Sequence, residues 1–185
     1  MGGFYTNYTL RGPTQEAVAE ALHGRRATVT PPDHGCVVAF DEASDDQDQE
    51  RIVHLANRLS LELNCPVLAV LDHDEDVLWY ALSVAGEVMD EYNSTPGYFA
   101  PSGPQDPTGG DAKLLCRTFG VSDVAGVERI LRNGDGYVFA SERHADLVRA
   151  LGLPAYSAGK AYASFERGEF PDGLTAGDML PASTA

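Results

Sequence analysis

The segment from Val67 to Phe99 constrains the fold of this chain more than any other part of the sequence. It holds three strand-like runs, separated by an acidic turn and then by an Ala-Gly turn: Val67–Leu71, Val77–Val84 and Glu87–Tyr92. Short runs rich in apolar and β-branched residues and bounded by turn residues are typical of β-strands. The segment therefore predicts a three-stranded antiparallel meander. Its second strand carries the single tryptophan, Trp79, next to Tyr80, and alternation predicts that these two rings point to opposite faces.

The sequence before this meander alternates between strand and helix patterns. The predicted strands are Phe4–Leu10, Arg26–Thr30 and Gly35–Asp41, and the predicted helices are Thr14–Leu22 and Gln47–Leu63. With Val67–Leu71 the order is β-α-β-β-α-β, which is the split βαβ or ferredoxin-like order. The predicted fold class is therefore α+β. We expect an antiparallel sheet of ferredoxin-like order that is extended by the meander, and we expect both predicted helices to cover one face of this sheet.

The sequence predicts mostly helices, rather than strands, in the second half of the chain. Residues 1–99 form the sheet domain, and the Pro/Gly-rich residues 100–110 form a linker or long loop. Residues 111–170 are predicted to form a small, mostly helical appendage that packs on the sheet domain and contains one short strand at Tyr137–Ala140. Residues 171–185 predict a loose tail.

Charge is the strongest property of the whole composition. The net charge is -15, and residues 1–99 carry 17 acidic against 5 basic residues, a net of -12. Such a surface repels nucleic-acid phosphates and anionic lipids, and it attracts a basic protein partner. No apolar run approaches the roughly 18 residues that a membrane span requires. We therefore expect neither nucleic acid nor membrane as a partner.

The number and spacing of the cysteines indicate whether the protein lies in a reducing or an oxidising compartment of the cell. Cys36, Cys65 and Cys116 are widely spaced, odd in number and without a C-x-x-C pair, and the chain shows no signal peptide. These features favour free thiols and a reducing, cytoplasmic location.

The acidic turn is the first candidate site. It places four carboxylates and a histidine in five consecutive residues, which are Asp72, His73, Asp74, Glu75 and Asp76. Asp72, Asp74 and Asp76 have the D-x-D-x-D spacing that opens an EF-hand loop. Val77 stands where that loop needs glycine, and Ser83 stands where it needs glutamate. A divalent metal at the three aspartates remains one hypothesis. A solvated acidic turn is the alternative.

A second candidate group surrounds the end of the meander. Asp90 and Tyr92 share one face of their predicted strand, and Trp79 is a candidate binding aromatic. Asp90, Glu91 and Asn93, together with Asp72 or His73, would build a carboxylate–histidine site for general acid–base chemistry or metal-assisted hydrolysis. Zinc-ligand spacing, a nucleophile elbow and a complete phosphate loop are absent from the sequence, so no cofactor is predicted.

Three functional hypotheses follow. The first is a small acidic protein-interaction or regulatory module that masks a basic partner, such as a nucleic-acid-acting toxin or regulator. The second is a divalent-metal-dependent hydrolase that uses the Asp72–Asp76 cluster. The third is a small-molecule-sensing domain. Without a complete catalytic constellation, the first hypothesis is favoured.

Overall fold

A computed structural model describes residues 3–98, 100, 102–133 and 136–182. Within these residues the chain forms one eight-stranded antiparallel sheet and six α-helices, so the protein is α+β. The strands are β1 (Phe4–Arg11), β2 (Ala27–Val29), β3 (Cys36–Asp41), β4 (Val67–His73), β5 (Val77–Val84), β6 (Glu87–Asn93), β7 (Thr108–Gly109) and β8 (Leu180–Pro181). The helices are α1 (Gln15–Ala21), α2 (Gln49–Glu62), α3 (Ala112–Phe119), α4 (Val124–Arg132), α5 (Ala140–Leu151) and α6 (Tyr162–Glu166).

The sheet order is β7-β6-β5-β4-β1-β3-β2-β8. The predicted meander is confirmed, because β5 pairs antiparallel with both β4 and β6. β1 lies between β3 and β4 in the middle of the sheet, and six of its eight residues are buried. This central strand brings its first residues, Phe4 and Tyr5, next to the end of β4, where Phe4 pairs with His73 and Tyr5 with Asp72.

Helices cover both faces of the sheet. One core lies between the sheet and the helices α1 and α2, and it includes Trp79. The other core contains residues of α3, α4 and α5 packed on Tyr80 and Tyr92. Trp79 and Tyr80 therefore point to opposite faces, as alternation predicted. β4 and β5 are apolar on both faces, and a sheet of that kind needs cover on both sides.

The sequence interpretation differs from the structure at three short segments. The strand predicted at Tyr137–Ala140 is wrong, because Ala140 begins α5 and its N–H donates to the carbonyl of Glu75 at 2.6 Å. β7 lies inside the predicted linker, and β8 lies inside the predicted tail and pairs with β2. Two-residue strands carry no periodicity, so their pairing depends on the rest of the fold.

The turn between β4 and β5, residues 74–76, has a strained backbone. Asp74 and Glu75 have φ of 57° and 62°. Consecutive left-handed residues suit the tight turns that join twisted strands, and glycine or asparagine is normally preferred there. The Glu75 N–H donates to Asp72 Oδ1 at 3.0 Å, which holds the turn in place.

Relief of this strain gives a first prediction. Glu75→Gly is expected to raise the free energy of unfolding by about 1 kcal/mol, because glycine adopts positive φ without steric cost. Chemical denaturation measures the change. Asp76→Gly is the matched control, since it removes the same charge from the same turn at a residue without positive φ. We expect the control to lower stability, and equal effects of the two variants would contradict the strain argument.

Candidate functional site

The structure divides the predicted site residues into two environments. Asp72, Trp79 and Tyr92 are buried, with exposed fractions of 0%, 1% and 1%. The tip of the β4–β5 hairpin is accessible instead, and its polar residues are His73, Asp74, Glu75 and Asp76.

The remaining predicted residue, Asp90, accepts a hydrogen bond from the Tyr80 hydroxyl at 2.7 Å. The neighbouring Glu91 accepts from Trp79 Nε1 at 2.8 Å. Because Trp79 and Tyr80 lie on opposite faces, Asp90 and Glu91 do not converge. These carboxylates satisfy aromatic donors, and neither belongs to the hairpin tip.

Three aromatic rings form a row beside the hairpin tip. Phe4 and His73 meet edge to face with centroids 5.0 Å apart, and His73 and Tyr98 meet edge to face at 5.6 Å. Phe4 is 50% exposed and Tyr98 is 37% exposed, so the row presents apolar surface to solvent. The row lies where β1 begins and β4 ends.

A cavity of about 590 Å³ opens next to this row. Phe4, Leu71 and Val77 contribute apolar wall, and Asp45 and Asp46 contribute carboxylates from the 3₁₀ turn that precedes α2. This cavity and the aromatic row form one surface, which we call the acidic–aromatic end. It consists of the rings of Phe4, His73 and Tyr98 and the carboxylates of Asp45, Asp46, Asp74 and Asp76.

Gln47 fixes the orientation of the central ring of the row. Its Oε1 lies 2.7 Å from His73 Nδ1, and its Nε2 donates to the carbonyl of Asp72 at 2.6 Å. The imidazole and the amide are therefore locked between the hairpin and the 3₁₀ turn. A surface that is ordered before binding loses less side-chain entropy when a partner docks.

The field at this end is negative. The Tyr98 hydroxyl donates to Asp74 Oδ2 at 3.4 Å. Partial desolvation, and then the carboxylates of Asp74 and Asp76, raise the pKa of Tyr98. Burial likewise raises the pKa of Asp45, with further contributions from Asp41 and Glu42. A cationic group placed here would relieve this accumulation of negative charge.

A buried polar cluster lies on the α5 side of the same strand ends. The Tyr5 hydroxyl and His144 Nδ1 are 2.8 Å apart, and their rings stack with centroids 5.7 Å apart. Asp72 is the cross-strand neighbour of Tyr5. Its Oδ1 accepts the Glu75 N–H at 3.0 Å.

Burial controls the ionisation of this cluster. It raises the pKa of Asp72 to about 7, with a further contribution from the charge of Glu75, and it lowers the pKa of His144 to about 3. Burial and the nearby Asp72 raise the pKa of Tyr5 well above its ordinary value. Tyr5 is the member of the cluster that lines an adjoining cavity of about 720 Å³. The cluster therefore combines a neutral imidazole with a carboxyl that titrates near neutral pH.

The residues that the structure describes contain no group of three or more His, Cys, Asp or Glu side chains able to hold a metal ion. The D-x-D-x-D spacing does not form one, because the Asp72 side chain is buried while Asp76 is exposed. Cys36, Cys65 and Cys116 are free, as predicted, and all three are buried. Burial raises the pKa of all three thiols, which makes them poor nucleophiles.

Comparison of the chain with protein-family models, with curated proteins and with solved structures finds no match. In the described part of the chain, no helix combines the length and the apolar character needed to cross a membrane. Inference about function therefore depends on the geometry above. Sequence reasoning did not include Phe4, Tyr5 or His144 in the site. An aromatic pair at the start of a strand is the one local signal that they offer.

Proposed function

We propose that the protein is an interaction module and that its acidic–aromatic end binds a basic, partly apolar segment of a partner protein. The observation that carries this proposal is the exposed, preordered row of Phe4, His73 and Tyr98 beside a cavity bounded by carboxylates. Aromatic residues are enriched at the centres of protein interfaces, and charged residues are typical of their rims.

Charge favours a basic partner for two reasons. The net charge of -15 steers a cationic surface toward the protein and raises the association rate. An arginine or lysine side chain that enters the cavity would also meet ring faces and edges together with Asp45 and Asp46. Contacts between cations and aromatic rings contribute about 0.5–2 kcal/mol, depending on how far they are desolvated.

Two further apolar side chains are exposed in the segment that meets the hairpin at Glu75. Val138 and Phe139 are exposed, and they precede Ala140, whose N–H donates to the Glu75 carbonyl. Large exposed side chains that gather at one place are typical of a binding surface, whereas single exposed apolar residues need no explanation. This observation supports a partner segment that carries apolar as well as basic residues.

The finer fold and location belong to the same proposal. The order β4-β1-β3-β2, with α1 and α2 sharing one core, supports a ferredoxin-like unit extended by β5, β6 and β7. The three unpaired thiols support a reducing compartment such as the cytoplasm.

A nucleic-acid-acting protein that this module masks would supply the basic surface that the acidic–aromatic end requires. For the hydrolase hypothesis, the described residues contain no group of three or more His, Cys, Asp or Glu side chains that could hold the metal ion it requires.

A peptide titration tests the proposal. The probe is a short synthetic peptide that alternates arginine and leucine, and the negative control is the same peptide with glutamate in place of arginine. We expect the basic peptide alone to bind. Asp74→Asn/Asp76→Asn is expected to weaken binding about tenfold at low ionic strength, with most of the change in the association rate.

Two matched variants separate this surface from the general charge of the protein. Glu16→Gln/Glu20→Gln removes the same charge from exposed positions on α1, and Met89→Ser removes an exposed apolar side chain from β6. Both are expected to bind like the parent, whereas Phe4→Ser is expected to bind about tenfold more weakly. If the α1 variant loses as much affinity as the hairpin variant, binding follows net charge and the proposal fails.

A further inference from the structure

Basic side chains converge at one cavity of this acidic protein. The cavity lies beside α2, near the end of α1, and has a volume of about 700 Å³. Of the five arginines in residues 1–99, three line it, together with two of the five histidines in the chain: Arg25, Arg51, Arg58, His23 and His54. Among the described residues that line the cavity, Glu50 is the acidic one.

Neighbouring groups hold two of the three guanidinium groups in position. Arg25 donates from Nε and from Nη2 to the two oxygens of Asp41, each at 2.7 Å, and this fork leaves Nη1 for another acceptor. Arg58 Nη1 donates to the Ala21 carbonyl at 2.8 Å. Because planar guanidinium groups present donors in a fixed arrangement, positioned arginines suit recognition of phosphate or carboxylate.

The floor of the cavity is polar and ordered. Ser44 lines the cavity, and its Oγ donates to Asp41 Oδ2 at 2.7 Å and lies 2.6 Å from the Tyr8 hydroxyl. Tyr8 is fully buried in the sheet. The network from Tyr8 through Ser44 and Asp41 to Arg25 therefore ties the cationic lining to the rigid core. A preorganised lining of this kind reduces the entropy cost of binding a ligand.

We propose that this cavity binds a small molecule that carries a phosphate group, with Arg25, Arg51 and Arg58 as its anion ligands. The volume fits a ligand larger than an inorganic ion, since small-molecule sites commonly measure about 300–1,000 Å³. A nucleic acid fits less well. Its phosphate backbone would extend over the surrounding acidic surface, whereas a small anion stays within a lining that holds three arginines and one acidic residue, Glu50. This site is independent of the acidic–aromatic end.

Thermal unfolding of the full chain with inorganic pyrophosphate tests the assignment. The reference samples contain NaCl at matched ionic strength, so that screening of the acidic surface is equal. Pyrophosphate at about ten times its dissociation constant is expected to raise Tm by about 3 °C. Arg51→Gln and Arg58→Gln are each expected to weaken binding about tenfold, measured as the ligand-induced shift relative to the variant's own Tm.

Two further samples give the experiment its controls. Arg149→Gln removes an exposed arginine that pairs with Asp146 on α5, and it is expected to keep the full shift. A short single-stranded DNA oligonucleotide is expected to produce no shift. The proposal would be overturned if pyrophosphate did not raise Tm, or if both cavity variants kept the full rise in Tm. It would also be overturned if the oligonucleotide raised Tm and pyrophosphate did not. Because the acidic–aromatic end is unchanged in these variants, failure here leaves the peptide-binding result unaffected.

Discussion

Arg143→Met is expected to lower the free energy of unfolding by about 4 kcal/mol. Arg143 is 3% exposed, and its guanidinium donates to the Tyr92 hydroxyl at 2.6 Å and to the Asn133 carbonyl at 2.6 Å. It also donates to the carbonyls of Ile130 and Leu131 at the end of α4. Methionine fills a similar volume but removes all four of these hydrogen bonds, although the Leu131 carbonyl still accepts from the Tyr92 hydroxyl at 2.9 Å.

Chemical denaturation measures this loss, and Arg149→Met on the same helix is the matched control. Arg149 is exposed, and its contact is a surface pair with Asp146. Surface pairs of this kind contribute about 0–1 kcal/mol. We expect the control to change stability by less than about 1 kcal/mol. Similar losses for the two variants would show that the buried donors of Arg143 do not stabilise the packing of α4 and α5 on β6.

The second large effect concerns Asp72 and pH. Its pKa is about 7 in the folded protein against an ordinary value of 3.8. A raised carboxyl pKa stabilises the fold fully below about pH 4, and this contribution is lost as pH rises through about 7. Asp72→Asn removes the dependence. The variant is therefore expected to exceed the parent in stability at pH 8 by up to about 4 kcal/mol, with little difference at pH 4.

Unfolding measured from pH 4 to pH 8 checks this expectation, with Asp76→Asn as the control. The control removes the same charge from an exposed position in the turn that follows β4. We expect its stability to follow the parent across this range. His144 acts in the opposite direction, because its lowered pKa of about 3 removes stability as pH falls below about 6.5. A difference in stability between Asp72→Asn and the parent that stays constant from pH 4 to pH 8 would contradict the assignment to Asp72.

The sequence contained the information for most of the sheet because its signals are local. Periodic apolar residues predicted α2, and apolar runs with turn residues between them predicted β4, β5 and β6. β7 and β8 could not be predicted, since each has two residues and exists by pairing with an edge already formed. Helical cover on the second face likewise depends on long-range packing of α3, α4 and α5.

The candidate site was predictable only in part. The acidic turn is a local pattern, and the structure leaves Asp74 and Asp76 accessible. The pairing of Tyr5 with His144 joins residues 139 positions apart, and no spacing rule in the sequence indicates it. The aromatic row likewise requires Phe4 to pair with His73 across two strands. In each case the sheet register brings together side chains that no sequence motif connects.

The most direct test of the proposed function is to map where the basic peptide binds, by NMR titration of the isotope-labelled protein. We expect chemical-shift changes to concentrate at Phe4, His73 and Tyr98, with smaller changes at Asp45 and Asp46. Increased salt should weaken the interaction without changing its location, because salt screens charge steering but leaves the aromatic contacts intact. Changes that centre on Met89 or α1, or that spread evenly over the acidic surface, would contradict the account.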